Sequence, residues 1–335
     1  MIIKSAIKTV APSFFLNWWR INQYKKQCKY YYDYDASRFT KYSNSINKWN
    51  NPEKLIGQIV AEYHVIEKGL TMPNMHFGFG QLVLNDLISH CDLYTFRFDK
   101  NNEQLLYAIR VIAEYKLDHE RNGYELSNEL LTSINSILSK YDDVVPSEQI
   151  TMNKEDYFKF NHSSFEDFSN SRHSLRSFSG SIEIDTIKKS VSLAQNAPSG
   201  CNRQPSRVYV LQDKYHIEQV LNVQTGNRGF GHLANKLIVL TAELGGYLAL
   251  RERNDVYVNG GIYAMNLLYA LHYHQIGACS LNWCATPEQD IELRKICDIP
   301  PSEAVILIIA CGSIPDKFKL AASHRSNFSN ILKVI

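Results

Sequence analysis

Apolar residues recur every three to four positions through much of the first half of the chain, and this spacing predicts amphipathic helices. The clearest helical run spans residues 52–69, where Gly69 is expected to end the helix. Its shared apolar face consists of Leu55, Ile59, Tyr63 and Ile66. Further helices are expected at 82–94, 103–119 and 127–141. Their short polar connections are typical of antiparallel neighbours, so the pattern predicts an α-helical first half.

Beyond residue 178, short apolar runs that suit buried strands alternate with helical periods. Helices are expected at 182–196, 216–223, 257–274 and 287–297, and strands at 207–211, 237–242, 278–283 and 304–311. Helices interleaved with strands predict an α/β or α+β domain. Residues 21–50 are rich in Tyr, Lys, Asn and Ser without a sustained period, which predicts an irregular connection. Residues 142–170 are expected to form a linker, because they contain Pro146 and acidic residues without a sustained period.

The length and charge of the chain limit the classes of protein to which it can belong. With 335 residues, two domains are expected, at 1–150 and 151–335. Basic and acidic residues number 36 and 34 and are interspersed, so nothing indicates nucleic acid as a partner. The seven cysteines form no Cys-x-x-Cys pair, a pattern that favours reduced thiols and a cytoplasmic location. Cys201 has no adjacent base in the sequence, which favours a packing role over a nucleophilic one.

The N-terminal segment Met1–Arg20 combines lysines with large apolar residues, including Trp18 and Trp19. One interpretation is a helix lying on a membrane surface. The other is docking of the segment onto the protein itself, and Pro12 together with the missing signal-peptide pattern favours this second interpretation. No apolar run approaches the roughly 20 residues that span a bilayer.

The sequence gives little support for a metal site or a nucleotide-binding motif. Glu62 and His64 lie two positions apart and diverge on a helix, so they do not form the Glu-x-x-His pattern of carboxylate metal sites. We expect no metal and pairing of these charges with neighbours or solvent. The chain contains no Gly-x-Gly-x-x-Gly, no Gly-x-x-x-x-Gly-Lys and no His-Glu-x-x-His motif.

The stretch 171–178 carries more specific chemistry. Arg172, Ser174 and Arg176 alternate, so in an extended segment their side chains leave the same face. Arginine forks match phosphate oxygens, and a serine hydroxyl adds a compact donor. A solvated edge segment would have the same appearance. A second stretch, Ala-Pro-Ser-Gly-Cys-Asn-Arg-Gln-Pro at 197–205, interrupts the helical run 182–196 with proline and glycine.

Together these two stretches resemble the FMN-dependent nitroreductase superfamily over about residues 165–335. The resemblance implies an α+β sandwich with a mostly antiparallel central sheet and flanking helices, preceded here by an α-helical domain. It also implies a homodimer that binds FMN, with NAD(P)H as transient electron donor and a small-molecule electron acceptor. Arg172 and Ser174 would contact the FMN phosphate or ribityl chain, Arg176 would reach the pyrimidine end of the ring, and His173 would use its backbone.

The resemblance assigns roles to four other segments. Loop residues Pro198, Ser199, Gly200 and Asn202 would approach the flavin bound mainly by the other subunit, although a helix-terminating turn explains the same residues. Asn227 would bond the pyrimidine edge, and a turn-forming Asn-Gly pair is the alternative. The catalytic prediction is a backbone N–H of Leu281 or Asn282 facing flavin N5. Arg325 would bind phosphate, while Ser323 stands where the family often has a second basic residue.

The resemblance therefore implies a ping-pong FMN oxidoreductase, and the stretch 70–80, with its glycines, proline and methionines, is expected to form a structured loop or a lid. Two alternatives stay open. The flavin fold could serve as a non-catalytic binding or scaffold module, which the absent charge at Ser323 suggests. It could also be a specialised flavin enzyme, of the dehydrogenase or dehalogenase type, with a dedicated substrate.

Overall fold

In a computed structural model, residues 13–44 and 49–335 are described. Helices dominate the first half, as the apolar periods predicted. Their bounds are α1 Ser13–Tyr42, α2 Pro52–Leu70, α3 Gln81–Arg97, α4 Glu103–Arg121 and α5 Asn128–Leu138. Helices α2 to α5 pack around one apolar cluster that contains Ile59, Leu84 and Ile112. The starts of α2, α4 and α5 follow from side-chain caps, such as Asn51 Oδ1 accepting the Lys54 N–H at 2.8 Å.

Helix α1 corrects two expectations. Residues 21–42 were predicted to be irregular, but they continue a long helix whose interior lacks glycine and proline. The large residues of its first turns are exposed, with Phe14 at 74% and Trp18 at 59%. They do not dock onto the chain itself, and Met1–Pro12 lie outside the described residues. The sequence of α1 shows no clear helical period of apolar residues, because its aromatic residues are distributed around the helix.

Arg253 of the second half binds helix α1. Arg253 donates two hydrogen bonds to the Asp35 carboxylate, at 2.7 and 2.8 Å, and its guanidinium lies 5.1 Å from the Tyr31 ring centroid. This bidentate pair fixes the orientation of the helix. No helix among residues 13–44 and 49–335 is long and apolar enough to cross a membrane.

Gly69 was expected to end α2, but the helix runs on to Leu70. The glycine instead permits close approach of an aromatic ring: a Cβ at this position would lie 1.9 Å from Phe79 Cε2. The ring of Phe79 packs in turn against Tyr115, with centroids 5.2 Å apart. Gly69 therefore allows the loop 71–80 to lie directly against the end of α2.

Gly69→Ala is expected to destabilise the protein by about 1–3 kcal/mol, because the added methyl group forces the Phe79 ring out of its place. Urea unfolding followed by circular dichroism would measure this loss. Gly57→Ala is the matched control, since a Cβ on Gly57, in the same helix, meets nothing within 4 Å. Equal stability of the two variants would contradict the expectation.

The predicted linker is structured, which is another correction. Residues 142–170 contain strand β1 Ile150–Asn153 and the short helices α6 Lys154–Phe158 and α7 Phe165–Ser171. Strand β1 pairs antiparallel with β6 Lys317–Leu320, with Ile150 opposite Leu320. Neither four-residue strand has a recognisable pattern of its own, since each is defined by a partner far away in the sequence.

The second half is an antiparallel sheet between helices, so the α+β class is confirmed. Its remaining helices are α8 Ile184–Ala194, α9 Lys214–Val223, α10 Asp255–Tyr273 and α11 Pro287–Cys297. The strands are β2 Ser206–Leu211, β3 Lys236–Glu243, β4 Gly277–Asn282 and β5 Glu303–Gly312, in the spatial order β2-β3-β5-β4. All neighbouring pairs run antiparallel.

The two faces of the sheet bury different residues. Strands β3 and β5 are almost wholly apolar because both faces are covered. Ile238 and Ile309 pack with α8 and α10, whereas Val239 and Ile308 belong to the cluster on the opposite face, which includes residues of α9 and α11. Strand β4 is therefore an edge strand beside a covered centre. The division of the chain at residue 150 stays a prediction.

Candidate functional site

The segment 172–178 runs beside the free edge of strand β4. The Leu175 N–H donates to the Ala278 carbonyl at 2.9 Å, and the Leu175 side chain is fully buried. Because neighbouring side chains in an extended segment alternate, Ser174 and Arg176 leave the face opposite to Leu175. Arg172, Ser174 and Arg176 all keep partial exposure. The common face expected from the sequence agrees with this placement, and its role in binding stays a prediction.

Tyr157 anchors this segment from below. Its hydroxyl donates to the His173 carbonyl at 2.9 Å and accepts the His173 N–H at 3.2 Å. A phenol can do both, and the ring is only 2% exposed. The backbone of His173, expected to contact the cofactor, is therefore occupied by Tyr157. Its N–H is therefore not free for such a contact, while its carbonyl oxygen keeps a second lone pair.

Several cations converge beside this segment. Cys279, the residue next to Ala278 on β4, is 2% exposed. Burial raises the pKa of its thiol, and Arg176, Lys68 and Arg172 counteract that rise. The three charges therefore act electrostatically on one residue of the edge strand. The Arg176 guanidinium also lies 5.9 Å from the centroid of the buried Phe230 ring.

The charge of Arg325, in the C-terminal segment, also acts on the segment 172–178. Burial lowers the pKa of His173, and the charges of Arg172 and Arg325 lower it further. The sequence placed Arg172 and Arg325 in one phosphate site although the two residues are far apart along the chain. The charges of both arginines thus act on His173, and their common phosphate site stays a prediction.

These cations have no carboxylate of their own. Among residues 13–44 and 49–335, no carboxylate oxygen lies within 4.0 Å of the charged nitrogens of Lys68, Arg172, Arg176 or Arg325. Like charges gathered without counter-charges repel one another, and partial burial strengthens the repulsion. An anion with several oxygens, such as a phosphate group, would relieve it. The residues present therefore fit the phosphate of FMN.

Lys68 was not singled out from the sequence. It belongs to helix α2 of the helical half, where it was interpreted as one of several helix charges. Burial lowers the pKa of Lys68 and the neighbouring Arg176 lowers it further, while Cys279 raises it. No local signal marks a lysine whose neighbours come from residues more than a hundred positions away.

The charged side chains near Lys68 pair with neighbouring side chains, as the sequence predicted. Glu62 accepts hydrogen bonds from Gln58 and His90, and Glu67 contacts His64 at 3.0 Å. Within the described ranges, no three His, Cys, Asp or Glu side chains gather in a way that could hold a metal ion.

The loop 198–205 is held in an unusual backbone conformation. Cys201, Asn202 and Gln204 have φ values of 54°, 54° and 49°, a left-handed region that costs non-glycine residues about 1–3 kcal/mol each. Ser199 Oγ accepts the Gln204 N–H at 2.9 Å, and Asn259 Oδ1 accepts the Gly200 N–H at 3.1 Å. These bonds tie the loop to helix α10.

The side-chain contacts of this loop in the described part of the chain are with other residues than the cations near the segment 172–178. Asn202 and Cys201 are exposed, so Cys201 has no packing role, contrary to expectation. Arg203 pairs with Glu252 at 2.7 Å. None of these contacts involves Arg172 or Arg325. The predicted roles of Pro198, Ser199, Gly200 and Asn202 toward a flavin of the other subunit stay predictions.

Asn227 lies in a tight turn, and its amide serves that turn. Its Nδ2 donates to the Leu221 carbonyl at 2.8 Å. Gln224, buried and not singled out from the sequence, connects this turn to the sheet: its Nε2 donates to the Asn282 carbonyl at 2.9 Å, and its Oε1 accepts the Gly226 N–H at 2.7 Å. The Asn227 donor is therefore occupied, which leaves Oδ1 for the contact predicted with the flavin ring.

The register of strand β4 distinguishes Leu281 from Asn282, the two residues predicted to face N5 of the flavin. Antiparallel neighbours alternate between bonded pairs and pairs whose polar groups point away. The Ala278 carbonyl points outward to Leu175, so Asn282 also faces the free edge. Leu281 faces β5 and is 3% exposed. The register therefore favours Asn282 over Leu281 as the residue whose N–H faces the free edge, and the contact with flavin N5 stays a prediction.

A cavity of about 720 Å³ lies between the two halves. Residues of the predicted lid form one wall, including Met72 and Met75, and Ser177 and Phe178 form part of the other. Met72 packs against the turn that follows Asn227, where its Sδ would lie 3.3 Å from a Cβ on Gly229. The loop 71–77 therefore covers the end of the segment that carries Arg176.

His272, on helix α10, adds a titrating group beneath the site. Its Nε2 lies 2.9 Å from Ser171 Oγ, and burial, followed by the charges of Arg172 and His173, lowers its pKa to about 4. The unfolded chain binds a proton near the ordinary pKa of 6.5, and the folded chain resists protonation until about 4. Acidification through this window therefore favours unfolding.

We expect the free energy of unfolding to fall by up to about 3 kcal/mol between pH 6.5 and pH 4 through this residue. Urea titrations across the window would measure the slope in the native protein and in His272→Asn. The slope is expected to be shallower in the variant, whatever its absolute stability. Identical slopes would show that His272 does not carry the dependence.

Comparison with known proteins defines the class of the second half. Residues 170–225 match the model of the Nitroreductase family. The C-terminal half thus contains a segment similar to that family, and the resemblance inferred from the motifs is confirmed there. No curated protein matches the chain.

Several solved structures are similar to the second half. An FMN-dependent nitroreductase from Clostridium difficile shares 22% identity, with 49% of this chain and 92% of that chain covered and a TM-score of 0.40. A nitroreductase family protein from Streptococcus pneumoniae shares 18% identity over 51% and 100% of the two chains, with a TM-score of 0.45. At these TM-scores, the fold description depends on the strand order of the chain itself.

Proposed function

We propose that the second half of the chain binds FMN and works as an NAD(P)H-dependent oxidoreductase on a small, electron-poor acceptor. The observation that carries the proposal is the group of unpaired cations beside a nitroreductase-family segment. Bound FMN would supply two-electron chemistry, with reduction by NAD(P)H and reoxidation by the acceptor as separate half-reactions. The cytoplasmic location expected from the cysteines belongs to the same proposal.

Residues of the chain would hold the bound FMN and tune its reactivity. Arg172 and Ser174 offer a charged fork and a hydroxyl to the phosphate or ribityl chain. Arg176 lies beside Phe230 and Cys279, where a fixed positive charge favours negative charge on a neighbouring ring. The Asn282 N–H at the free edge of β4 would donate toward the reacting nitrogen. No side chain is required as an acid or base in the first half-reaction.

A homodimer is part of the proposal because one chain leaves the site open. The strained loop 198–205 is fixed by Ser199 and Asn259, yet its Asn202 side chain is exposed. Helix α10, which holds this loop, also exposes apolar residues, including Tyr257 at 56% and Val258 at 57%. We propose that this face meets a second copy and that the loop completes the flavin site of that copy.

The deciding experiment is spectroscopic. Purified protein is expected to take up FMN, to lose the flavin absorbance when NADH or NADPH is added without oxygen, and to recover it with a quinone or nitroaromatic acceptor. Light scattering would report the dimer. Failure to take up FMN would end the proposal. Binding without reduction would favour the scaffold alternative.

A further inference from the structure

The role of the helical half can be argued from the end of helix α2, where Glu67 and Lys68 are adjacent. Consecutive residues of a helix point about 100° apart, so the two side chains reach different surroundings. Glu67 is fully buried among residues of the helical half. The charges of Arg176 and Cys279 act on Lys68, and Leu70 at the end of the same helix lines one cavity with Ser177 and Phe178 of the second half. One turn of helix therefore contacts both parts of the chain.

Glu67 holds the C-terminal segment. Its Oε1 accepts the Tyr107 hydroxyl at 2.6 Å and the Ser323 N–H at 2.8 Å, and Ser323 lies 256 positions away in the sequence. Burial by itself would raise the pKa of Glu67, but hydrogen bonds from His64, Tyr107 and Ser323 lower it. The carboxylate thus stays ionised. Ser323 has a φ of 50°, a strained conformation that this bond stabilises.

Contacts with the helical half continue on both sides of Arg325. The His324 ring stacks on Tyr107 with centroids 4.8 Å apart and planes 19° apart. Gln104 Nε2 donates to Ser326 Oγ at 3.3 Å, and Glu103 accepts the Asn327 N–H at 2.6 Å. The helical half therefore fixes the backbone that carries Arg325 toward His173.

We propose that the helical half completes the anion site: Lys68 binds the phosphate of the cofactor directly, and Glu67 positions Arg325 for the same phosphate. The inference depends on the proposed flavin function for the identity of the ligand. It also accounts for Ser323, which stands where a second basic residue was expected. Lys68 supplies that charge from another part of the chain.

The first test compares FMN with riboflavin, which lacks the phosphate. Lys68→Ala and Lys68→Gln are expected to weaken FMN binding about tenfold and to leave riboflavin binding unchanged, because only the phosphate interaction is lost. Lys68→Arg is expected to keep most of the affinity. Lys214→Ala is the matched control, since the Lys214 side chain is 89% exposed. Unchanged FMN binding in both neutral variants would overturn the role of Lys68.

The second test isolates the positioning role of Glu67. Glu67→Gln is expected to weaken FMN binding several-fold in the native background and to have no further effect in Arg325→Ala. A general structural defect would lower the affinity in both backgrounds, and that result would overturn the positioning role. Riboflavin binding serves as the internal reference for each variant.

A third measurement separates this inference from the flavin function. Inorganic phosphate is expected to raise the melting temperature of the native protein more than chloride at equal ionic strength, and this difference should shrink in Lys68→Ala. If FMN does not bind but phosphate stabilises through Lys68, the anion site stands and the flavin proposal falls. If FMN binds equally to native protein and Lys68→Ala, the flavin proposal stands and the role of Lys68 at the anion site falls.

Discussion

Arg172→Ala is expected to weaken FMN binding by about 10- to 100-fold, the largest effect on binding that we predict for a single side chain. A charge-assisted hydrogen bond contributes about 1.5–3 kcal/mol, and Arg172 influences Cys279, His173 and His272 alike. The charge of its guanidinium therefore acts on more groups of the site than the other cations do. Flavin fluorescence quenching would measure the affinity of the variant.

The control for this prediction is Arg121→Ala, which removes an exposed arginine at the end of helix α4. It should leave FMN binding unchanged. Riboflavin should bind Arg172→Ala nearly as well as it binds the native protein, because the lost partner is the phosphate. Native-like FMN affinity in Arg172→Ala would contradict the assignment of the phosphate site.

Tyr157→Ala is expected to lower the free energy of unfolding by about 3–5 kcal/mol, the largest predicted effect on stability. The ring is buried and makes edge contacts with His272, at 4.9 Å between centroids, and with Phe318, at 5.6 Å. Its removal leaves a cavity under the segment 172–178 and frees the backbone of His173. Urea unfolding at neutral pH would measure the loss.

Tyr157→Phe separates packing from hydrogen bonding. The ring stays, while the His173 N–H and carbonyl lose their partner, so a smaller loss of about 1–3 kcal/mol is expected. FMN affinity should also fall several-fold, because the segment that carries Arg172 and Ser174 becomes less ordered. Equal stability of Tyr157→Phe and the native protein would show that water replaces the phenol at no cost.

The sequence predicted those elements that are coded locally. Helix α2 begins at Pro52 because Asn51 caps it, and α11 begins at Pro287 behind the Thr286 capping box. Strands β3 and β5 are apolar on both faces and were recognisable from composition alone. The nitroreductase-family segment could be found because its residues lie close together in the sequence.

What sequence reasoning missed depends on distant partners. Strands β1 and β6 are defined by their pairing with each other, and neither has a pattern of its own. The role proposed for Lys68 depends on the charge of Arg176. The role of Gln224 depends on its hydrogen bond to the Asn282 carbonyl. The aromatic residues of α1 surround the helix, so no face stood out, although its uninterrupted lack of glycine and proline was a usable signal.

The long separation between Glu67 and Ser323 has a consequence for biosynthesis. The ribosome makes the helical half first, and at that stage the Glu67 carboxylate can bond Tyr107 and His64 but not the Ser323 N–H. Arg325 arrives only after the whole sheet has been translated. The cations of this site are therefore brought together late, when most of the chain has already left the ribosome.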